Sequence, residues 1–530
     1  MKFLCFPRTR LWLRSAKAKK KSHKGSLTLL AAFVFFVFSG IGLGLIHLSQ
    51  IHLRISGFKK QCTLLEYSSE NGIKQGFNRF LALVAQVSSP GVISPEELNH
   101  LRENAPKGII LEKFMGLKQP LLISGDWENL KWETSMSWFL ENIIDKEVYF
   151  KAIHGVSFDS EGMIDNFELK RKTRLSSSLH ILGGQIPLSF FPFLIDKKLK
   201  PKEKSNFSDE NRITLSSSAQ SHLDPKISFS GENLIPDRAD VEMSKALKIK
   251  LFKPQNLSRA ELRVILGLDA SKEPVPDGVY LIKDNSGLGG IYVQGDVEEM
   301  VLAIEQEFQV ISFQTQQGTW ILKFSPSKGK TFFTSPGETL AYDLLPLGLV
   351  IINGKVKSLG GGVVDLSGEV ILVKDEEVPS ILRGARLTII SSDRITVSSH
   401  LILQGVKWQE GIPYVKDPDS QLAIYSTGKD FWDDTETEGG ITIDNNSSEE
   451  IKLQAFLTAS GKGFAIKGKG KKVQILGSLQ ATDYSAADNS LTLTMDERVQ
   501  VEDNFPENTP LTTKPVLFIS YFKALEWEEF

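Results

Sequence analysis

The residues that could carry catalytic or ligand chemistry are scattered along the chain rather than grouped. The histidines are His23, His47, His52, His100, His154, His180, His222 and His400. None forms an i, i+4 pair or an HExxH motif, so no metal site is assigned and no cofactor is expected. His47 and His52 stand five apart, about 140° around a helix, and suit a membrane interface better than a ligand pair. The run Ser460-Gly-Lys-Gly-Phe-Ala-Ile-Lys-Gly-Lys-Gly470 is rich in glycine and lysine but lacks the spacing of a phosphate-binding loop, and it reads as a lysine-rich turn. A polysaccharide-cleaving site needs acids or bases clustered on one face of adjacent β coils, and Asp365, Asp393 and Arg394 are the candidates for it. Charges at such corners are ordinarily solvated, so no catalytic residue is assigned and no enzymatic activity is expected.

The element that positions everything else lies near the N-terminus. Between Lys24 and Arg54 lie 29 residues without Lys, Arg, Asp or Glu, where a membrane-spanning helix needs about 20. The helical pattern continues past the apolar run, with Ile55, Phe58, Cys62, Leu65, Ile73, Phe77, Phe80 and Val84 spaced as one amphipathic stripe. Residues 26–87 as a single helix would be about 90 Å long, with Gly57, Gly72 and Gly76 as places where it could break. Residues 1–24 hold nine Lys or Arg and no acid, while the whole chain has a formal net charge of −2, so the remainder is distinctly acidic. The positive-inside rule keeps the basic leader in the cytoplasm and exports the chain beyond the helix. An acidic exported part argues against nucleic acid as a partner. Cys5 and Cys62 would lie on opposite sides of the membrane, so no intrachain disulfide is expected, and Cys62 reads as a packing residue of the stripe.

Three stretches, Gly25-Ser-Leu-Thr-Leu-Leu30, Leu48-Ser-Gln-Ile-His-Leu-Arg-Ile-Ser-Gly57 and Leu65-Glu-Tyr-Ser-Ser-Glu-Asn-Gly72, resemble in order and spacing the N-terminal region of PilX-type minor pilins of type IV pili. The resemblance covers about residues 20–85. It implies that a prepilin peptidase cuts between Gly25 and Ser26, making this chain that enzyme's substrate. It also implies other pilin or pseudopilin subunits as partners and the bacterial inner membrane as location. Leu30 stands where most major pilins carry a glutamate, which implies a minor or tip subunit. Gly40 and Gly44 form a GxxxG sequence that allows a neighbouring helix to approach closely. Arg54 and Glu70 flank the first exported turns and are candidates for contacts between subunits.

After the helix, Ser94-Pro-Glu-Glu97 predicts a helix start, within a mixed α/β region over 88–200. The run Ile181–Ile195 contains two prolines among aromatics, which predicts a buried loop or edge segment. Residues 201–250 are rich in charge, Ser, Asn and Pro and read as a linker or partly disordered insertion. Ser258-Arg-Ala-Glu261 is a capping box opening a short helix. From Gly278 short apolar runs recur, at intervals near 20 residues from Val350 to Val370 to Leu387, which predicts a parallel β-helix within 251–530. An antiparallel sandwich or barrel is the alternative. Pro274–Ile282, Gly289–Asp296 and Trp527 resemble the β-rich region that follows the helix in some large PilX-like proteins. The last apolar run, Lys514–Phe522, is expected to pair with or cap that β domain.

The expected class is therefore α+β, with a basic leader (1–25), a pilin-like transmembrane helix (26–87) and a large β-rich domain. The expected function is a minor pilin-like component of a type IV pilus or type II secretion pseudopilus, acting in initiation, at the tip or in adhesion. The alternatives are an uncut membrane-anchored scaffold and a polysaccharide-active β-helix enzyme.

Overall fold

The computed structural model describes residues 24–87, 91–104, 120–127, 130–146, 148–164, 170–199, 201–216, 227–237, 257–409, 412–414, 419–433, 435–496, 498 and 509–529. It shows one long apolar N-terminal helix and a large β-rich region. The helix, α1 (Lys24–Val87), is continuous over 64 residues. It is long and apolar enough to cross a membrane, and none of its most apolar window is buried in the protein.

The rear half of α1 packs on an antiparallel sheet. The sheet contains β1 (Gly91–Val92), β2 (Leu121–Trp127), β3 (Leu130–Asp145), β4 (Tyr149–Ile164), β5 (Lys170–Gly184) and the C-terminal strand (Val516–Glu529). Their order is β1, C-terminal strand, β5, β4, β3, β2. Between β1 and β2 a ten-residue helix, α2 (Pro95–Asn104), starts where the sequence predicts, with Ser94 Oγ accepting from the Glu97 amide at 3.1 Å. Leu65, Ile73, Phe80 and Val84 of α1 are buried, and Phe77 and Phe80 lie against Phe158 and Phe522. Of the stripe read from the sequence, Ile55 and Phe58 remain exposed, because the sheet reaches only as far as Leu65.

The glycines expected to weaken α1 instead let it sit close to the sheet. A Cβ on Gly72 would lie 2.2 Å from Ser160 Oγ, and one on Gly76 would lie 3.0 Å from Thr134 Cγ2. From the sheet side, a Cβ on Gly162 would lie 2.5 Å from the Leu65 carbonyl oxygen. Ser69 and Thr173 hydroxyls, 2.7 Å apart, close the same crossing.

The remaining strands form mainly two eleven-stranded sheets that face one core. In one, Ile291, Val350, Ile389, Ile424, Leu457 and Leu479 stand in successive parallel register. In the other, Val356, Ile395, Ile441, Phe464 and Tyr484 do the same. The chain passes from the first column to the second at each level. The 20-residue interval proposed from the sequence does not survive: Val370–Leu372 pairs antiparallel with residues 362–364 and stands in neither column. Val350 and Ile389 are the true successive positions, the loop between them having lengthened the repeat. Residues 299–342 add an antiparallel meander to the second sheet, turned by Gln306–Glu307 and Gln316–Gln317 rather than by Asn-Gly.

Two expectations need correction. The C-terminal strand does not join the preceding β region. It pairs along β5, with Val516 opposite Gly184 and Phe522 opposite Leu179, because its apolar residues complete the face under α1. Residues 185–515 are thus an insertion between two neighbouring strands. Secondly, the charged stretch read as a linker from residue 201 contains a helix, α3 (Pro201–Glu210), and a strand, Ile213–Ser216, that extends the first large sheet beyond Leu491–Thr494. Phe207 anchors it, with ring centres 5.2 Å from Phe229 and 6.0 Å from Tyr484. Residues 217–226 and 238–250 of that stretch lie outside the described residues.

The aromatic run with two prolines is buried, as the sequence suggests. Its first residues end β5, Leu188–Phe190 make a short turn of 3-10 helix, and Phe193–Ile195 pair with Leu479–Ala481. Phe191 stacks on Phe518 at 4.9 Å, so this run joins the helix-bearing sheet to the inserted region. At the far end of the insertion, the capping box at Ser258 forms and opens α4 (Arg259–Ile265).

Candidate functional site: a bare helix and a charged cleft

The residues singled out from the sequence do not converge. Gly25 lies in the first turn of α1 with Ser26, and their side chains lie outside what is described. Nothing approaches within 4 Å of a Cβ built on Gly40 or Gly44, so that face is open to a neighbour. Arg54 is exposed, and Glu70, half-buried, makes an i, i+4 pair with Lys74 at 4.0 Å. From Gly25 to Glu70 these positions span about 68 Å of helix, so they can act on other molecules but not jointly on one small substrate.

The three residues imagined as a polysaccharide site are each occupied by the fold. Asp365 Oδ1 accepts from the amides of Ser367 (2.9 Å) and Glu369 (2.8 Å) and from the Ser367 hydroxyl (2.7 Å), and these bonds lower its pKa. Asp393 Oδ1 accepts from the amides of Arg394 (2.7 Å) and Gly439 (3.2 Å). Arg394 pairs with Glu438, whose carboxylate also holds Lys462 at 3.0 Å; the Lys462 hydrogen bond and the Arg394 charge lower the pKa of Glu438. Lys462 belongs to the lysine-rich run, which here serves as a corner between strands.

A feature the sequence reading missed is a cleft of about 560 Å³ lined by Glu133, Ser135, Asp159, Ser160, Glu161, Lys172 and Arg174. Register builds it: Glu133, Glu161 and Lys172 align across β3, β4 and β5, as do Ser135, Asp159 and Arg174. Arg174 meets Asp159 at 2.6 Å, and that hydrogen bond raises its pKa. The alternation in Lys170-Arg-Lys-Thr-Arg174 was the available signal. The cleft presents both signs of charge and can orient a polar molecule. Among the described residues, no three His, Cys, Asp or Glu side chains stand where they could hold a metal ion.

No family model, curated protein or solved structure matches the chain.

Two histidines inside the helix-bearing unit carry a pH dependence. Burial draws His154 down to about 4, against a smaller opposing contribution from the Ala152 backbone, and neither ring nitrogen makes a hydrogen bond of normal geometry to a described residue. Burial, with the nearby Lys151 charge, draws His180 down to about 3. Both are neutral when folded and take up a proton near pH 6.5 when unfolded. Stability is therefore complete above pH 6.5 and is lost as pH falls towards those depressed values, by roughly 2–3 kcal/mol per histidine at pH 4.5. Urea unfolding at pH 7 and pH 4.5 should show this loss, and His154→Phe with His180→Phe should shrink it. An unchanged pH dependence in the double variant would assign the effect to other groups.

Proposed function

We propose that the chain is a minor, pilin-like subunit: α1 sits in the inner membrane and, after leader removal, moves into the core of a fibre or pseudopilus. The observation that carries this reading is the contrast along one unbroken helix. Its membrane-length half is bare, and its rear half is packed against a sheet through Leu65, Ile73, Phe80 and Val84. A helix of this kind can exchange lipid for neighbouring helices without unfolding the exported part.

We further infer that the parallel strands of the inserted region wind as a parallel β-helix, supported by the two parallel columns facing one core. This module joins the sheet at Gly184 and Val516. Along β5 that is eleven residues, or about 36 Å of strand, from Thr173, which touches Ser69. A bulky module beyond the end of α1 would obstruct a subunit stacked above it, which favours the tip over repeated positions along a shaft. No enzymatic role is proposed.

The test is the mass and N-terminal residue of membrane-extracted protein made with and without an active prepilin peptidase. The expected result is a chain beginning at Ser26 only when the peptidase is present. A chain that keeps its leader in both cases removes the fibre-subunit reading and leaves an uncut envelope scaffold.

A further inference from the structure

The exposed part of α1 carries a seam. Leu48, Ile51, Ile55, Phe58 and Cys62 follow at alternating steps of three and four and lead to Leu65, the first apolar residue of α1 that the sheet buries. Leu48, Ile51, Ile55 and Phe58 are 54%, 39%, 50% and 53% exposed, whereas Leu65 is 3% exposed. At about 100° per residue these six positions fall within an arc of roughly 100°. Ser69, Gly72, Ile73, Gly76 and Phe80 continue nearly the same arc beneath the sheet. The described part of the sheet ends near Leu65, and no described residue covers the face beyond it.

In heptad terms, Leu48, Ile55 and Cys62 occupy a positions, and Ile51, Phe58 and Leu65 occupy d positions. Arg54 is then at g and Lys59 at e, one on each side of the seam, and no acid occurs between Ile51 and Leu65. In a parallel pair the g residue of one helix meets the e residue five positions on in the other. Two copies of this chain would therefore set Arg54 against Lys59 twice, with no acid to relieve the contact. The charge pattern disfavours a second copy and fits a partner of opposite sign.

About 20 residues from Leu27 fill the bilayer core, so this seam stands largely outside the hydrocarbon. It is too short to hold a free helix in solution. Confinement of both helices to one membrane supplies the effective concentration that so short a contact lacks. We propose that Leu48–Cys62 pairs in parallel with the emerging helix of a different single-pass protein that carries Asp or Glu at the e and g positions facing Arg54 and Lys59. The proposal rests on membrane anchoring and not on leader removal, so a chain that is never cut would still show it.

Cys62 lies at an a position and serves as the reporter. The full chain carrying Cys5→Ser is placed in neutral-lipid vesicles with one of two synthetic single-pass peptides. Both peptides have the same apolar seam and a cysteine aligned with Cys62, one with Glu and the other with Lys at e and g. On mild oxidation the mixed disulfide with the Glu peptide should exceed that with the Lys peptide roughly tenfold. Arg54→Glu together with Lys59→Glu should reverse the preference. Equal yields with both peptides, failure to cross-link with either, or predominance of Cys62–Cys62 dimers would each overturn the proposal. The substituted side chains are exposed, and an unchanged proteolytic pattern of the sheet verifies that folding is not the variable.

Discussion

A chain ending at Thr513 should lose the helix-bearing sheet while keeping the inserted β region. The missing strand carries Val516, Leu517, Phe518, Ile519, Tyr521 and Phe522, each no more than 6% exposed. Burying a large apolar side chain contributes about 1.5–3 kcal/mol. Six of them contribute about 9–18 kcal/mol, as much as the roughly 5–15 kcal/mol by which a domain is usually stable. Their loss also strips the outer edge of β5 and uncovers Leu179 and Phe158. Limited proteolysis of detergent-solubilised protein is the direct measurement, with cleavage expected throughout β3–β5 and protection retained over about residues 278–495. Equal protection of β3–β5 in the full and shortened chains would mean that the last strand is an accessory.

Gly463→Ala should be among the most damaging single substitutions in the inserted region, and Gly470→Ala is its control. Both residues have φ +75°, where a side chain is strained. A Cβ on Gly463 would lie 2.1 Å from the Asp483 carbonyl oxygen and 2.6 Å from its nitrogen, whereas nothing lies within 4 Å of one on Gly470. The left-handed conformation costs about 1–2 kcal/mol in either case. The backbone clash adds to it only at Gly463, where the neighbouring level of chain cannot yield without breaking the hydrogen bond that the Phe464 amide donates to the Asp483 carbonyl. A loss of about 3 kcal/mol or more is expected at Gly463, against about 1 kcal/mol at Gly470. Urea unfolding of the two variants separates the terms, and equal losses would show that the levels are not tightly stacked there.

How far the sequence disclosed this molecule depended on how local each signal was. The 29 uncharged residues before Arg54 and the capping box at Ser258 are local, and both forecast what is seen. The glycines of α1 misled because propensity weighs only the helix, whereas Gly72 and Gly76 serve a surface contributed by residues 134 and 160. The tail misled for a similar reason. An apolar strand at 516–529 shows that it needs a partner without showing which, and the partner β5 lies more than 300 residues earlier. Spacing misled where loops vary, so that Val370 mimicked a repeat it does not belong to. At the candidate sites, the seam along α1 was legible as periodicity, but where its cover ends required the sheet. The charged cleft needed cross-strand register, which a single strand's alternation cannot supply.

The position of the last strand also sets an order of events during synthesis. The helix and β2–β5 leave the ribosome first, yet their sheet lacks its final member until residues 516–529 have been made. At about 5–20 residues per second, the intervening 185–515 take roughly 17–66 seconds to translate. Throughout that interval β5 presents an unfilled edge, and the N-terminal half of the molecule is the part left waiting. A nascent chain that stalls anywhere in the insertion carries the long apolar helix without a finished sheet behind it. Closure of the sheet at Lys170–Gly184 thus waits on residues 516–529, more than 300 residues later in the chain.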